Sequence, residues 1–142
     1  MDKDLKRMII LENYQNPKNK QIPTEEGYVK INSNNVSCID NLDIYVKTEN
    51  DIIKDIKYEG EACVICISST SIITNLLIGK TIEEAKDILE NYHNMIEEKP
   101  YNKDVLKEAL VYDDIYKQPS RKTCATLATR GLSKLLDQTT EK

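Results

Sequence analysis

Tryptophan and phenylalanine are both absent from the 142-residue sequence, so any core must be filled by Ile, Leu, Val and some of the eight Tyr. A long run of one charge sign is also missing: acids and bases are mixed along the chain, and the net charge is −4. A nucleic-acid groove normally shows as a basic stripe, so this balance argues against nucleic acid and against an acidic membrane surface as partners. It leaves room only for a local basic cluster near Arg121. Nor is there a long hydrophobic run. The greasiest stretch, Val64 to Gly79, is interrupted by Ser68, Ser69, Thr70, Ser71, Thr74 and Asn75, and is too short and too polar to span a bilayer. No apolar signal-peptide core follows Met1-Asp2-Lys3-Asp4-Leu5-Lys6, so the expected location is the cytoplasm.

What is present fits one folded unit. Apolar residues at 39% support a core and charged residues at 31% a solvated surface, in a length usual for one compact domain, here taken as residues 1–142. Four cysteines then carry information. Cytosolic thiols stay reduced, which disfavours a disulfide framework. Buried filler, metal ligand and reactive thiol remain.

Residues Lys3 to Tyr14 read as a helix with Leu5, Met8 and Ile9 on one face, stopped by Asn16-Pro17-Lys18-Asn19. Strands follow at Tyr28 to Ile31, at Leu42 to Lys47 and at Ile52 to Tyr58. In the second, Leu42, Ile44 and Val46 share a face; in the third, Ile52, Ile56 and Tyr58 do. The short link Thr48 to Asp51 predicts an antiparallel hairpin. After Gly60 the period becomes helical. One largely buried helix ends at Gly79. A second starts at the Thr81/Glu84 capping box and turns Ile82, Ala85, Ile88, Tyr92, Met95 and Ile96 inward. A looser segment with one short helix near Asp104 to Leu110 leads to Pro119-Ser120 and a last helix, with Ala128, Leu132 and Leu135 facing inward. Strands first and helices afterwards predict an α+β domain, with helices packed on one face of a small antiparallel three-stranded sheet.

Four residues form the candidate site. Cys38 and Asp40 are two apart in the polar stretch Asn34 to Asn41; in an extended backbone they project to the same side. Cys63 follows Glu59-Gly60-Glu61 at the start of a helix, and Cys124 falls in the first turns of the last one, where the helix dipole favours a thiolate. Three thiolates and a carboxylate suit tetrahedral Zn²⁺, and thiolates equally suit iron with sulfide. Arg121 and Lys122 stand close enough in sequence to offset the negative charge. The spacing includes no zinc-ribbon C-x-x-C pair among these four.

The segments Asn16-Pro17-Lys18-Asn19, Cys38-Ile39-Asp40, Tyr58-Glu59-Gly60-Glu61-Ala62-Cys63 and Arg121-Lys122-Thr123-Cys124-Ala125-Thr126-Leu127 resemble, in order, the landmarks of the IscU/SufU (NifU N-terminal-like) iron–sulfur cluster assembly family. Thr123 where IscU proteins usually have His, the long Cys63-to-Cys124 interval, and Arg121 three residues before the last cysteine resemble the SufU branch. The resemblance implies zinc held by Cys38, Asp40, Cys63 and Cys124, with Cys38 as the sulfur-accepting thiol and Arg121 balancing the thiolates. It implies a cysteine desulfurase of SufS type as partner and a downstream scaffold or apo-protein as recipient. The IscU alternative is a scaffold on which a [2Fe–2S] cluster forms. Ile39 and Ala62 depart from the family, which usually has Gly at both positions; Ile cannot reach the backbone conformations open to Gly.

Plainer readings stand beside these. Each cysteine could be core filler, and Cys66, three residues after Cys63, is read as a buried, inert thiol rather than a spare ligand. Asp40 alone could be a turn residue, Arg121 a solvated one and His93 a partly packed one. A zinc-stabilised interaction module without sulfur chemistry is a rival of another class, and a thiol-redox enzyme using Cys63 and Cys66 is a third.

Overall fold

The computed structural model describes residues 1–35 and 39–140. Helix α1 (Lys3–Gln15) is followed by strands β1 (Val29–Asn34), β2 (Asn41–Glu49) and β3 (Ile52–Glu61), then helices α2 (Val64–Leu77) and α3 (Ile82–Ile96). Three short 3-10 helices lead to α4 (Pro119–Ala125) and α5 (Leu127–Thr140). The sheet is antiparallel in the order β1-β2-β3. The architecture is α+β, as the order of periodicities predicts. No described helix is long and apolar enough to cross a membrane.

The β2–β3 hairpin closes on Asn50 and Asp51, both with positive φ (53° and 62°). This is the left-handed pair that tight hairpins need and that Asn and Asp tolerate. Leu42, Ile44 and Val46 point into the core as the alternation predicts. In β3 the expectation needs correcting: Ile53, Ile56 and Tyr58 are fully buried, while Ile52 is only partly covered. The register shifts at Lys47/Thr48, where Asp55 pairs with Lys47 but Ile53 with Thr48. The extra residue, Lys54, breaks the two-residue alternation and brings Ile53 and Ile56 to one face, as a β-bulge does.

Helix α2 lies in the core although it is rich in hydroxyls. Ser68 meets the Tyr112 hydroxyl at 2.5 Å, Ser69 and Thr70 donate to the Cys66 carbonyl at 3.1 and 2.7 Å, and Ser71 donates to Asn13 at 2.7 Å. Ser71 also accepts from the Lys18 amide at 2.9 Å. Each pairing removes the cost of burying the hydroxyl, and the last two hold α1 and the Asn-Pro-Lys-Asn turn against α2. Helix α3 starts at the complete Thr81/Glu84 capping box, and its six expected inward residues are all buried.

Two further expectations change. The short helix near Asp104 to Leu110 is a chain of 3-10 turns, Lys103–Val105, Lys107–Tyr112 and Ile115–Lys117. The last helix is two helices, parted at Thr126 (φ −115°, ψ 6°). Ala128, Leu132 and Leu135 are buried as predicted.

Candidate metal centre

Asp40 precedes β2 and is 1% exposed. Its backbone carbonyl accepts from the Asn35 amide at 2.9 Å. Its Oδ1 accepts from the Cys63 amide at 2.8 Å, and its Oδ2 lies 3.8 Å from Cys63 Sγ. Cys63 is the N-cap of α2, so the carboxylate sits at the positive end of that helix. Cys124 comes from the far end of the chain, buried in α4. One ligand atom from each of Asp40, Cys63 and Cys124 lies within 4.8 Å of the other two. Three segments remote in sequence thus bring two thiols and a carboxylate together.

Gly60 makes this convergence possible. It has φ +142°, and a Cβ there would stand 2.1 Å from the Asn41 carbonyl oxygen. Only glycine lets the end of β3, which leads into Cys63, run this close to the start of β2, which follows Asp40.

Cys124 is the sixth residue of the seven-residue α4, not in its first turn, so the dipole argument made for its thiolate does not apply. Burial, together with Cys63 and Asp40 alongside, pushes its thiol up to about 12. Proton-bearing groups crowded in this way repel one another as anions, and a cation among them relieves that repulsion. The donor set therefore fits a thiophilic divalent ion: sulfur and carboxylate donors, converging, with a cation needed to stabilise their ionised forms.

Cys38 lies outside the described residues. Arg121 is exposed in the first turn of α4, with its amide donating to the Gln118 carbonyl at 2.8 Å. Lys122 does not offset the charge of the site, because its Nζ pairs with Glu97 at 3.2 Å. Cys66 is fully buried in the core, and burial pushes its thiol well above the ordinary range. That agrees with an inert thiol and removes support from a Cys63/Cys66 redox pair, which needs an accessible, acidic thiol. His93 is partly packed, with Nε2 2.8 Å from the Thr129 hydroxyl.

Two residues near the site go beyond the sequence reading. Tyr92, expected only as core, donates its hydroxyl to the Ala125 carbonyl at 2.8 Å. Arg130 donates from Nη2 to the Thr123 carbonyl and from Nε to the Thr126 carbonyl, both at 3.2 Å. No local motif signals either contact, since both depend on how the chain bends at Thr126.

The sequence pattern of the NifU-like N-terminal domain family matches residues 6–128. The chain belongs to that family. Within the NifU-like relatives, the zinc-dependent sulfurtransferase SufU of Bacillus subtilis (strain 168) is 33% identical over 131 residues, covering 92% of this chain and 88% of the relative. The iron–sulfur cluster assembly scaffold protein IscU of Thermotoga maritima is 31% identical over 123 residues, 87% of each chain. Among solved structures, an iron–sulfur cluster assembly scaffold protein of the SUF system from Fervidobacterium islandicum AW-1 superposes with a TM-score of 0.80 at 29% identity, over 87% of this chain and 90% of that one. The NifU-like fold of those proteins is the α+β fold found here, and the resemblance carried by the cysteine motifs holds.

Proposed function

We propose that this chain, as one domain over residues 1–142, is a zinc-holding sulfur carrier of iron–sulfur cluster assembly in the cytoplasm. It takes sulfur from a cysteine desulfurase of SufS type and passes it to a downstream scaffold or apo-protein. The observation that carries the reading is the meeting of Asp40, Cys63 and Cys124 within 4.8 Å, supported by the similarity to the Bacillus subtilis zinc-dependent sulfurtransferase over most of both chains. Cys38 completes the donor set in this proposal. Zinc, when bound, would keep the cysteines as thiolates at neutral pH.

The chain's own residues then have distinct tasks. Asp40, fixed by the Cys63 amide, supplies an oxygen donor whose direction is set by the backbone. Cys63 and Cys124, each carried on a helix, hold their positions. Cys38, two residues before Asp40 in the sequence, is the thiol that reacts. Its thiolate attacks the outer sulfur of the desulfurase persulfide, the persulfide S–S bond breaks, and the desulfurase cysteine leaves as a thiolate. The persulfide now on Cys38 reacts in the same way with a recipient thiol, so no net oxidant or reductant is needed. Arg121, exposed beside Cys124 in α4, supplies positive charge toward the incoming persulfide.

The test is desulfurase turnover with and without the chain. Cys38→Ala should abolish stimulation while leaving the fold intact; unchanged stimulation by Cys38→Ala would refute the assignment. The similarity to the Thermotoga maritima IscU over 87% of both chains favours a second reading, a scaffold for [2Fe–2S]. Anaerobic reconstitution with iron and sulfide separates the two. A coloured cluster that transfers to an apo-protein supports the scaffold, whereas retained zinc and no cluster support the carrier.

A further inference from the structure

Cys124 sits one residue before the end of α4, and what fixes that end is not the helix itself. In an unbroken helix the carbonyls of Thr123 and Ala125 would accept from the amides of Leu127 and Thr129. Here the helix stops at Ala125 and a new one starts at Leu127. The Thr123 carbonyl accepts instead from Arg130 Nη2 at 3.2 Å, and the Ala125 carbonyl from the Tyr92 hydroxyl at 2.8 Å. These two carbonyls flank Cys124 on either side. The bend is closed by further contacts: Arg130 Nε reaches the Thr126 carbonyl at 3.2 Å, and the Thr126 hydroxyl donates to the Lys122 carbonyl at 2.8 Å.

The two donors differ in a useful way. Tyr92 is fully buried, with its ring edge-on to Tyr112 at 6.4 Å between centroids, so its hydroxyl comes from a rigid position in the core. Arg130 is exposed, and its planar fork spans both sides of the bend. A lysine, with one ammonium in place of the fork, cannot reproduce that.

The geometry points to Tyr92 and Arg130 as positioning residues for Cys124. By taking the carbonyls on either side of it, they hold the break that turns its thiol toward Asp40 and Cys63. This rests on the reading of Asp40, Cys63 and Cys124 as one donor set. It adds that two residues which touch no ligand set the affinity of the site. Partners that orient a ligand residue typically alter metal affinity by about 10–100-fold when removed.

The experiment compares Tyr92→Phe, Arg130→Ala and Arg130→Lys with the native chain, using Lys122→Ala as the control that removes another basic side chain from the same bend. Zinc affinity is read by competition with a chromogenic chelator. Metal-free protein is titrated with phenylarsine oxide, which bridges two thiols only when they lie close, and mass spectrometry maps the bridge between Cys63 and Cys124. Tyr92→Phe and Arg130→Ala should each weaken zinc binding by about tenfold or more and reduce Cys63–Cys124 bridging. Arg130→Lys should fail to restore either, and Lys122→Ala should match the native chain. Since Arg130 is exposed, its variants keep the test decisive should Tyr92→Phe misfold. Native zinc affinity and native bridging in folded Arg130→Ala would overturn the proposal. Failure of the native chain to bind zinc would instead refute the reading of the metal centre, and the arsenical bridging would still decide the positioning claim.

Discussion

Replacing Gly60 by alanine is the sharpest structural test of how Asp40 and Cys63 come together. The added Cβ would stand 2.1 Å from the Asn41 carbonyl oxygen, whereas real Cβ contacts essentially never fall below 3.0 Å, so β2 and β3 must part by about 0.9 Å. The backbone also has to hold a non-glycine residue at φ +142°, which costs about 1–3 kcal/mol. Parting the ladder there weakens at least one buried hydrogen bond, for about 1 kcal/mol more. The sum, roughly 2–4 kcal/mol, corresponds to a melting-temperature loss of roughly 10 °C for a chain of this size. Gly79→Ala is the matched control. Gly79 also has positive φ (+90°), but its Cβ would meet nothing within 4 Å, so strain alone should cost about 1–2 kcal/mol. Thermal melts of metal-free protein, paired with zinc competition, separate close approach from strain. Gly60→Ala should melt several degrees below Gly79→Ala and bind zinc at least about tenfold more weakly. Equal melting temperatures with native zinc affinity in both variants would refute the reasoning.

Other outcomes follow from the packing and the charges. Ile53→Ala should cost about 2–5 kcal/mol in chemical denaturation, while Ile52→Ala should cost well under half as much, because the bulge buries Ile53 and leaves Ile52 partly covered; equal losses would contradict the register. Burial first, and Arg130 second, hold the His93 pKa below its ordinary 6.5, with Glu97 opposing. The unfolded chain therefore takes up this proton first as pH falls, so stability declines as pH drops from 6.5 toward the folded-state pKa. His93→Gln should flatten that part of the stability profile; an unchanged slope would show that another group is responsible.

The parts of the fold that local chemistry dictates were legible in the sequence. Thr81 and Glu84 fix the start of α3 because a capping box needs only residues three apart. The β2–β3 hairpin follows from the short link between two strand-like runs. Strict alternation turns Ile52 inward because it has no term for an inserted residue, and the bulge at Lys47/Thr48 is set by pairing across strands. The division of the last helix was not readable for a similar reason: the Tyr92 hydroxyl that takes the Ala125 carbonyl comes from a helix more than thirty residues earlier. At the site, spacing gave the residue types but not their meeting, which depends on the Gly60 close approach. Sequence proximity makes Lys122 a counter-charge for the site, whereas in the fold its ammonium pairs with Glu97. Cys66 reads as a buried, inert thiol from the family resemblance, which commonly has a small residue there, and it is fully buried on α2.

The most direct test of the central claim is the zinc K-edge X-ray absorption spectrum of the zinc-loaded chain, recorded for the native sequence and for Asp40→Ala, Cys63→Ser and Cys124→Ser. The account predicts one zinc per chain with three sulfur scatterers at about 2.3 Å and one oxygen at about 2.0–2.2 Å, the protein oxygen being lost in Asp40→Ala. A first shell of nitrogen and oxygen only, or one unchanged when Cys63 or Cys124 is replaced by serine, would contradict it.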